Sequence, residues 1–204
     1  MKKFLIIFLF FSLINLTTRA DEEYFVEENQ EDEYKFYVQE GIKYLESEDY
    51  QNAKTFFWKA LEINPENPDP YVNLAIIHIN EYNLDRAIEL LKKAMELAKE
   101  DYPKKEIIYY NFGLCYFLES NYKEAIEYFI KAINLHPNFG EAFYYMAKAF
   151  DSLGDCREAL INSIKARNIF RIESRDDYLN IANDLFYSLK DKCDKSSEEL
   201  AIEL

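Results

Sequence analysis

The chain has 204 residues, 49% of them apolar, with four glycines, five prolines and a formal net charge of −14. That length is one ordinary domain or one repeat array, and the apolar share is that of a folded protein. The acidity argues against nucleic acid or an anionic lipid surface as partner and leaves a basic or apolar one, while the shortage of Gly and Pro argues for long regular elements.

Residues 1–20, MKKFLIIFLFFSLINLTTRA, have the three parts of a secretory signal peptide. Lys2 and Lys3 precede an apolar run from Phe4 to Leu16, and Thr18-Arg19-Ala20 puts small residues where a signal peptidase reads. The run is about 13 residues, short of the roughly 20 that cross a bilayer comfortably. The expectation is therefore an exported protein, periplasmic or secreted, with no stable membrane span after cleavage; the alternative is a chain anchored by an uncleaved segment. Residues 21–33, DEEYFVEENQEDE, are too acidic to bury a core and read as a mobile leader with one apolar knot at Tyr24, Phe25 and Val26.

From residue 34 the chain repeats itself. YQNAKTFFWKALEINPEN at 50–67 is echoed by YKEAIEYFIKAINLHPNF at 122–139. Ala53, Ala87, Ala125 and Ala159 each open an apolar-periodic segment, at spacings of 34, 38 and 34 residues. Upstream of each lies a second helical segment centred on a small residue: Gly41, Ala75, Gly113 and Ala147. An aromatic stands four positions before it (Tyr37, Tyr71, Tyr109, Phe143) and a larger residue three after (Tyr44, His78, Tyr116, Phe150), which places the set on one helix face. Short turns (ESED, NEYN, LESN, SLGD) join each pair, and Pro65 and Pro137 end two of the second helices.

Four tandem copies of this order resemble the tetratricopeptide repeat family, over residues 34–67, 68–105, 106–139 and 140–173. The resemblance implies an all-α fold, a right-handed α-solenoid of four helix-turn-helix repeats with a C-terminal capping helix, whose first helices line a concave groove that binds a peptide or a partner helix. There are departures. Ser163 replaces a bulky residue, and Lys99 and Arg171 replace the terminal Pro, so those two helices are expected to run on. The second copy is longer by about one helical turn, which should alter stacking beside it. Residues 174–204 read as a capping helix, with Tyr178, Ile181, Ala182 and Leu185 on one face, followed by a frayed tail from Asp191.

A second apolar stripe runs beside the packing seam. It comprises Val38, Ile42 and Leu45 in the first copy, Val72, Ile76 and Ile79 in the second, and Ile107, Tyr110, Leu114, Phe117 and the adjoining Leu118 in the third. The fourth copy carries Glu141, Tyr144, Lys148 and Asp151 instead. These eleven apolar positions are the expected protein-binding groove, because a continuous apolar surface is normally covered. The expected partner is a protein or peptide with an apolar segment; the alternative is a homodimer formed through the same surface. No phosphate loop, nucleophile motif or metal-ligand spacing is present, and His78 and His136 read as structural, so neither an enzyme nor a cofactor is expected. Cys115 falls at a small, buried repeat position. Cys156 and Cys193 lie where stacked copies bring equivalent turns close, so a disulfide tying cap to array is expected.

Overall fold

The computed structural model describes residues 30–202, with side chains to residue 194. The expected signal peptide, residues 1–20, and most of the expected acidic leader lie outside these residues. Among the described residues every regular element is an α-helix, and no helix is long and apolar enough to cross a membrane. The helices are α1 (30–46), α2 (Tyr50–Ile63), α3 (Pro68–Asn80), α4 (Leu84–Leu97), α5 (Lys105–Leu118), α6 (Tyr122–Leu135), α7 (Gly140–Ser152), α8 (Cys156–Ile172) and α9 (Asp176–Ile202). They fall into two compact units, whose boundary lies within α3 between Asn73 and Leu74.

The turn inside each repeat is built the same way every time. The second residue past the first helix is left-handed: Glu48 (φ 59°), Tyr82 (φ 57°), Ser120 (φ 63°) and Gly154 (φ 79°). The following N–H donates back to the carbonyl five residues earlier, as in Asn83 to His78 (2.8 Å) and Asn121 to Tyr116 (2.8 Å), which closes the helix C-terminus. The same residue caps the next helix, and the side chains of Asp49, Asn83 and Asp155 accept from the backbone three residues on. Gly154 alone adopts this conformation without a Cβ cost. Glu48→Gly is therefore expected to stabilise by about 0.5–1 kcal/mol, the left-handed penalty of a side chain less the added flexibility of glycine. Denaturant melting of the two proteins checks it.

In the first unit, α1 and α2 pack through Gly41. A Cβ at that position would stand 2.7 Å from the ring of Phe57, which is fully buried with Ala53 and Ala60. Tyr44 and Phe56 stack at 5.3 Å, and the Lys59 ammonium lies 5.3 Å from the Tyr37 ring. Residues 30–33, expected in the mobile leader, open α1 instead. A Glu31–Lys35 ion pair (2.7 Å) and a Tyr37–Glu33 hydrogen bond (3.0 Å) at helical spacing support that turn.

In the second unit the same device recurs. A Cβ on Gly113 would stand 2.5 Å from Phe129, and one on Gly140 2.5 Å from Phe170. Between α6 and α7, Ala125, Ile126, Phe129, Ala142, Met146 and Ala149 form a buried cluster. Two expectations about helix ends divide. The helix carrying Arg171, α8, does run on, to Ile172. The one before Lys99, α4, stops at Leu97, and its extra residues form the connection to α5, with Ala98 extended and Tyr102 N–H donating to Lys99. The insertion thus leaves α4 the same length as α2 and α6, 14 residues each.

The cap differs most from expectation. No frayed tail begins at Asp191, because α9 continues to Ile202. Its buried residues are Ala182 and Leu189, with Leu179 and Leu185 half-buried beside them, a spacing of three to four residues. Tyr178 and Ile181, assigned to the packing face from sequence, are 45% and 51% exposed. Cys193 consequently sits inside a helix rather than in a turn. It is joined to Cys156, the first residue of α8, with Cα atoms 5.7 Å apart.

Candidate functional site

The expected groove residues have divided fates. In the first unit Val38 and Leu45 are half-buried, Ile42 is 38% exposed and Val72 is buried. In the second unit Ile79 is buried, Ile76 and Ile107 are half-buried, and Leu118 is exposed. Tyr110, Leu114 and Phe117 pack against the buried cluster of α6 and α7. The Phe117 ring lies 5.4 Å from Tyr145 and the Tyr110 ring 4.8 Å from Phe139. Much of the third copy's apolar stripe is therefore spent on packing consecutive hairpins together.

The fourth copy's polar stripe has the same job with different chemistry. Glu141 pairs with Arg175 at the start of the cap (2.5 Å), and Asp151 pairs with Lys192 of α9 (2.5 Å). Lys148 points back over the rings of Phe117, Tyr144 and Tyr145, at 5.5–5.6 Å. The cap brings cations where the preceding hairpins bring apolar groups, so the matching positions on α7 are acidic.

Beside these contacts a pocket of about 480 Å³ is open between the first helices α5 and α7 and the cap helix α9. Its wall is aromatic: Tyr110, Phe139, Tyr144, Tyr145, Phe170 and Tyr178, with Ile181 and the Glu141 carboxylate at the edge. The rings interlock, Tyr110 with Tyr145 at 6.2 Å, Tyr144 with Tyr145 at 5.3 Å and Phe170 with Tyr178 at 5.3 Å. Arg175 lies against one of the lining rings, its guanidinium 3.9 Å from the centre of Tyr178. The Glu141 hydrogen bond raises the Arg175 pKa above its usual value, so the cation is permanent. Burial, aided by the neighbouring Tyr145 hydroxyl and Glu141 carboxylate, pushes the Tyr110 phenol well above the ordinary tyrosine value. Burial also raises the Tyr144 and Tyr145 phenols above the ordinary value. These phenols keep their protons at neutral pH and remain hydrogen-bond donors.

Of the pocket residues only Tyr110 was among the expected groove set. One signal for the others is present in the sequence: Tyr110, Tyr144 and Tyr178 recur at intervals of 34 residues, one in each first helix. Reading the fourth copy by its charges hides that recurrence. Among the described residues no group of His, Cys, Asp and Glu is placed to hold a metal ion. Burial pushes the Cys115 thiol up to about 12, which makes it an inert packing group.

Tetratricopeptide repeat models match the chain over residues 34–67 and 68–138, together about half its length. Among curated proteins the chain is 23% identical over 143 residues to anaphase-promoting complex subunit 3 of Schizosaccharomyces pombe, covering 70% of this chain and 21% of that one. It is 29% identical over 126 residues to the BBSome complex member BBS4 of Mus musculus, covering 62% and 24%. The chain thus spans less than a quarter of the length of either relative. Among solved structures it is similar to a chain of the APC/C hetero-tetramer Cut9–Hcn1, with a TM-score of 0.66, 17% identity, and coverage of 75% of this chain and 29% of that one.

Proposed function

Because the chain belongs to the tetratricopeptide repeat family, we propose that it is an exported adaptor holding a segment of another protein in the groove between α5, α7 and α9. The observation that carries this reading is the aromatic pocket. Tyr110, Tyr144 and Tyr178 supply it from the same register of α5, α7 and α9, and exposed Ile181 stands beside Tyr178 on the cap. A cap whose only task was to end the array would turn polar groups outward there. The relatives named above are, by their names, members of multi-protein complexes, which agrees with a role in holding proteins together.

Export is supported by the three-part N-terminal segment and by the Cys156–Cys193 bridge, since disulfides persist in oxidising compartments. Self-association is the second reading. It is favoured by Ile130, Leu135, Ile164 and Ile172, exposed on the second helices α6 and α8.

Crosslinking in the native host, followed by capture of the mature protein, tests the adaptor reading against Ile181→Glu. The variant is expected to keep its helicity and melting temperature and to lose its crosslinked partner. Retention of the same partner would place the binding surface elsewhere. Sedimentation across protein concentration separates the second reading, which requires a mass that doubles. N-terminal sequencing should find Asp21 first, and retention of Met1 would overturn export.

A further inference from the structure

We infer that the outer face of α8 docks the acidic leader of a second copy of this chain, residues 21–29 with the knot Tyr24, Phe25 and Val26. The inference goes beyond the adaptor reading and uses a different face from the groove.

The argument begins with what α8 exposes. Its exposed residues are Arg157, Ile164, Lys165, Asn168, Arg171 and Ile172. At 3.6 residues per turn they fall in one stripe, about 120° wide and about 22 Å long. Ile172 is 79% exposed. Two of the cations rest on neutral groups. Lys165 lies over the Phe143 ring at 5.2 Å, and Arg171 donates to Asn168 Oδ1 (3.1 Å). The one acidic residue of α8, Glu158, is half-buried at the edge of the stripe.

The earlier second helices differ at the same register. α4 exposes Asp85, Arg86, Glu89, Lys92, Lys93 and Glu96, and pairs Arg86 with Glu89 (2.6 Å) and Lys93 with Glu96 (3.5 Å). The position of Glu89 in α4 and Glu127 in α6 is Ile161 in α8, and that of Glu62 in α2 and Glu96 in α4 is Asn168. α8 has exchanged the carboxylates that would balance its cations, in a chain whose net charge is −14. Exposed isoleucines between unbalanced cations mark a surface that meets something acidic and apolar.

Charge and spacing together choose the occupant. Arg157 and Arg171 stand seven residues to either side of Ile164, about 10 Å each way along the helix. Residues 21–29, DEEYFVEEN, hold five carboxylates, no cation and three consecutive apolar residues. Glu22 and Glu28 stand three residues to either side of Phe25, again about 10 Å each way if the segment lies extended. Phe25 over Ile164 therefore brings a carboxylate to each arginine. The leader adjoins the first copy and α8 belongs to the fourth. Stacked copies touch only their neighbours in the order of the chain, so a second copy supplies the leader. Leader and α8 are different surfaces, which makes the contact head-to-tail, unlike a two-fold dimer. A basic, apolar stripe also suits an anionic membrane, but the net charge of the chain opposes that approach.

The test uses the mature, oxidised protein. In anisotropy titrations at low ionic strength, a labelled peptide of residues 21–29 is expected to bind with a Kd below about 1 mM and to weaken several-fold in about 0.5 M salt. The same peptide with its acids changed to Asn and Gln, or with Ser-Gly-Ser in place of the knot, should bind about tenfold more weakly or not at all. Arg171→Glu and Ile164→Glu should each weaken the native peptide about three- to tenfold at unchanged circular dichroism. Lys92→Glu, the same charge change on α4, should leave it unchanged. So should Ile181→Glu, which probes the groove, and the two readings therefore fail separately. If Arg171→Glu disturbs the fold, Arg157→Glu carries the test. A photo-crosslinker at position 25, in a mixture of isotope-light and isotope-heavy protein, should join light chains to heavy ones at α8. Crosslinks within one chain only would overturn the second copy as source, and crosslinks away from α8 would overturn the site. Equal binding of the peptide that lacks the knot would reduce the contact to charge attraction and overturn the docking. Flotation with phosphatidylglycerol-containing vesicles, lost in Arg171→Glu, would overturn it in favour of a membrane surface.

Discussion

Removing the Cys156–Cys193 bridge, by reduction or by paired serine substitution, is expected to destabilise the second unit by about 4 kcal/mol. The bridge closes a loop of 37 residues between the first turn of α8 and the interior of α9. In the chain-entropy account a loop of that size restricts the unfolded chain by about 4 kcal/mol at room temperature. The loss is local in its consequences. In a stacked repeat each element leans only on its neighbours, so the end of the array opens first. Without the bridge α9 rests on α8 and α7 through Ala182, Leu189, Leu179 and Leu185 and on two ion pairs, Glu141–Arg175 and Asp151–Lys192. Partly exposed ion pairs contribute little. Hydrogen exchange should therefore accelerate in α9 well before α5 and α6, and the pocket should lose Tyr178 and Ile181 with it. A melting curve unchanged by reductant, with slow exchange in α9, would show that the cap is held by packing alone.

The second large effect lies at the Gly113–Phe129 contact. Phe129→Ala is expected to cost about 3–5 kcal/mol, the range for truncating a buried aromatic. Phe129 is fully buried within the cluster that joins α6 to α7, so the cavity has few routes to collapse. The reverse perturbation, Gly113→Ala, puts a methyl 2.5 Å from a ring carbon of the buried Phe129. Overpacking of that kind costs about 1–3 kcal/mol, against roughly 1 kcal/mol of improved helix propensity. Gly113→Ala combined with Phe129→Leu should be more stable than the sum of the single changes, because the second copy already uses Ala75 and Leu91 at these two positions. Additive losses in urea melts would show that the two sites do not share one space.

The sequence by itself determined the repeat: the helix pairs, the short turns that join them, the small residue at the centre of each first helix and the family that this order signals. Each of these depends on residues a few positions apart, or on a period that four copies state independently. Even the left-handed residue at 48, 82, 120 and 154 sits at one offset ahead of its capping Asp or Asn. Residues 30–33 and 191–202 were misjudged because charge density argued for solvation, whereas helical ion pairs and continuation of an established helix carry α1 and α9 through them. Tertiary structure alone decided which of two adjacent apolar stripes stays open. Tyr110, Leu114 and Phe117 look like a free surface on one helix, but the next hairpin covers much of it. Glu141 and Asp151 look like a break in that surface, but they meet Arg175 and Lys192 of the cap. A side chain's periodicity says which face of its helix it occupies; only the neighbouring helix, placed by contacts tens of residues away, says whether that face meets protein or solvent.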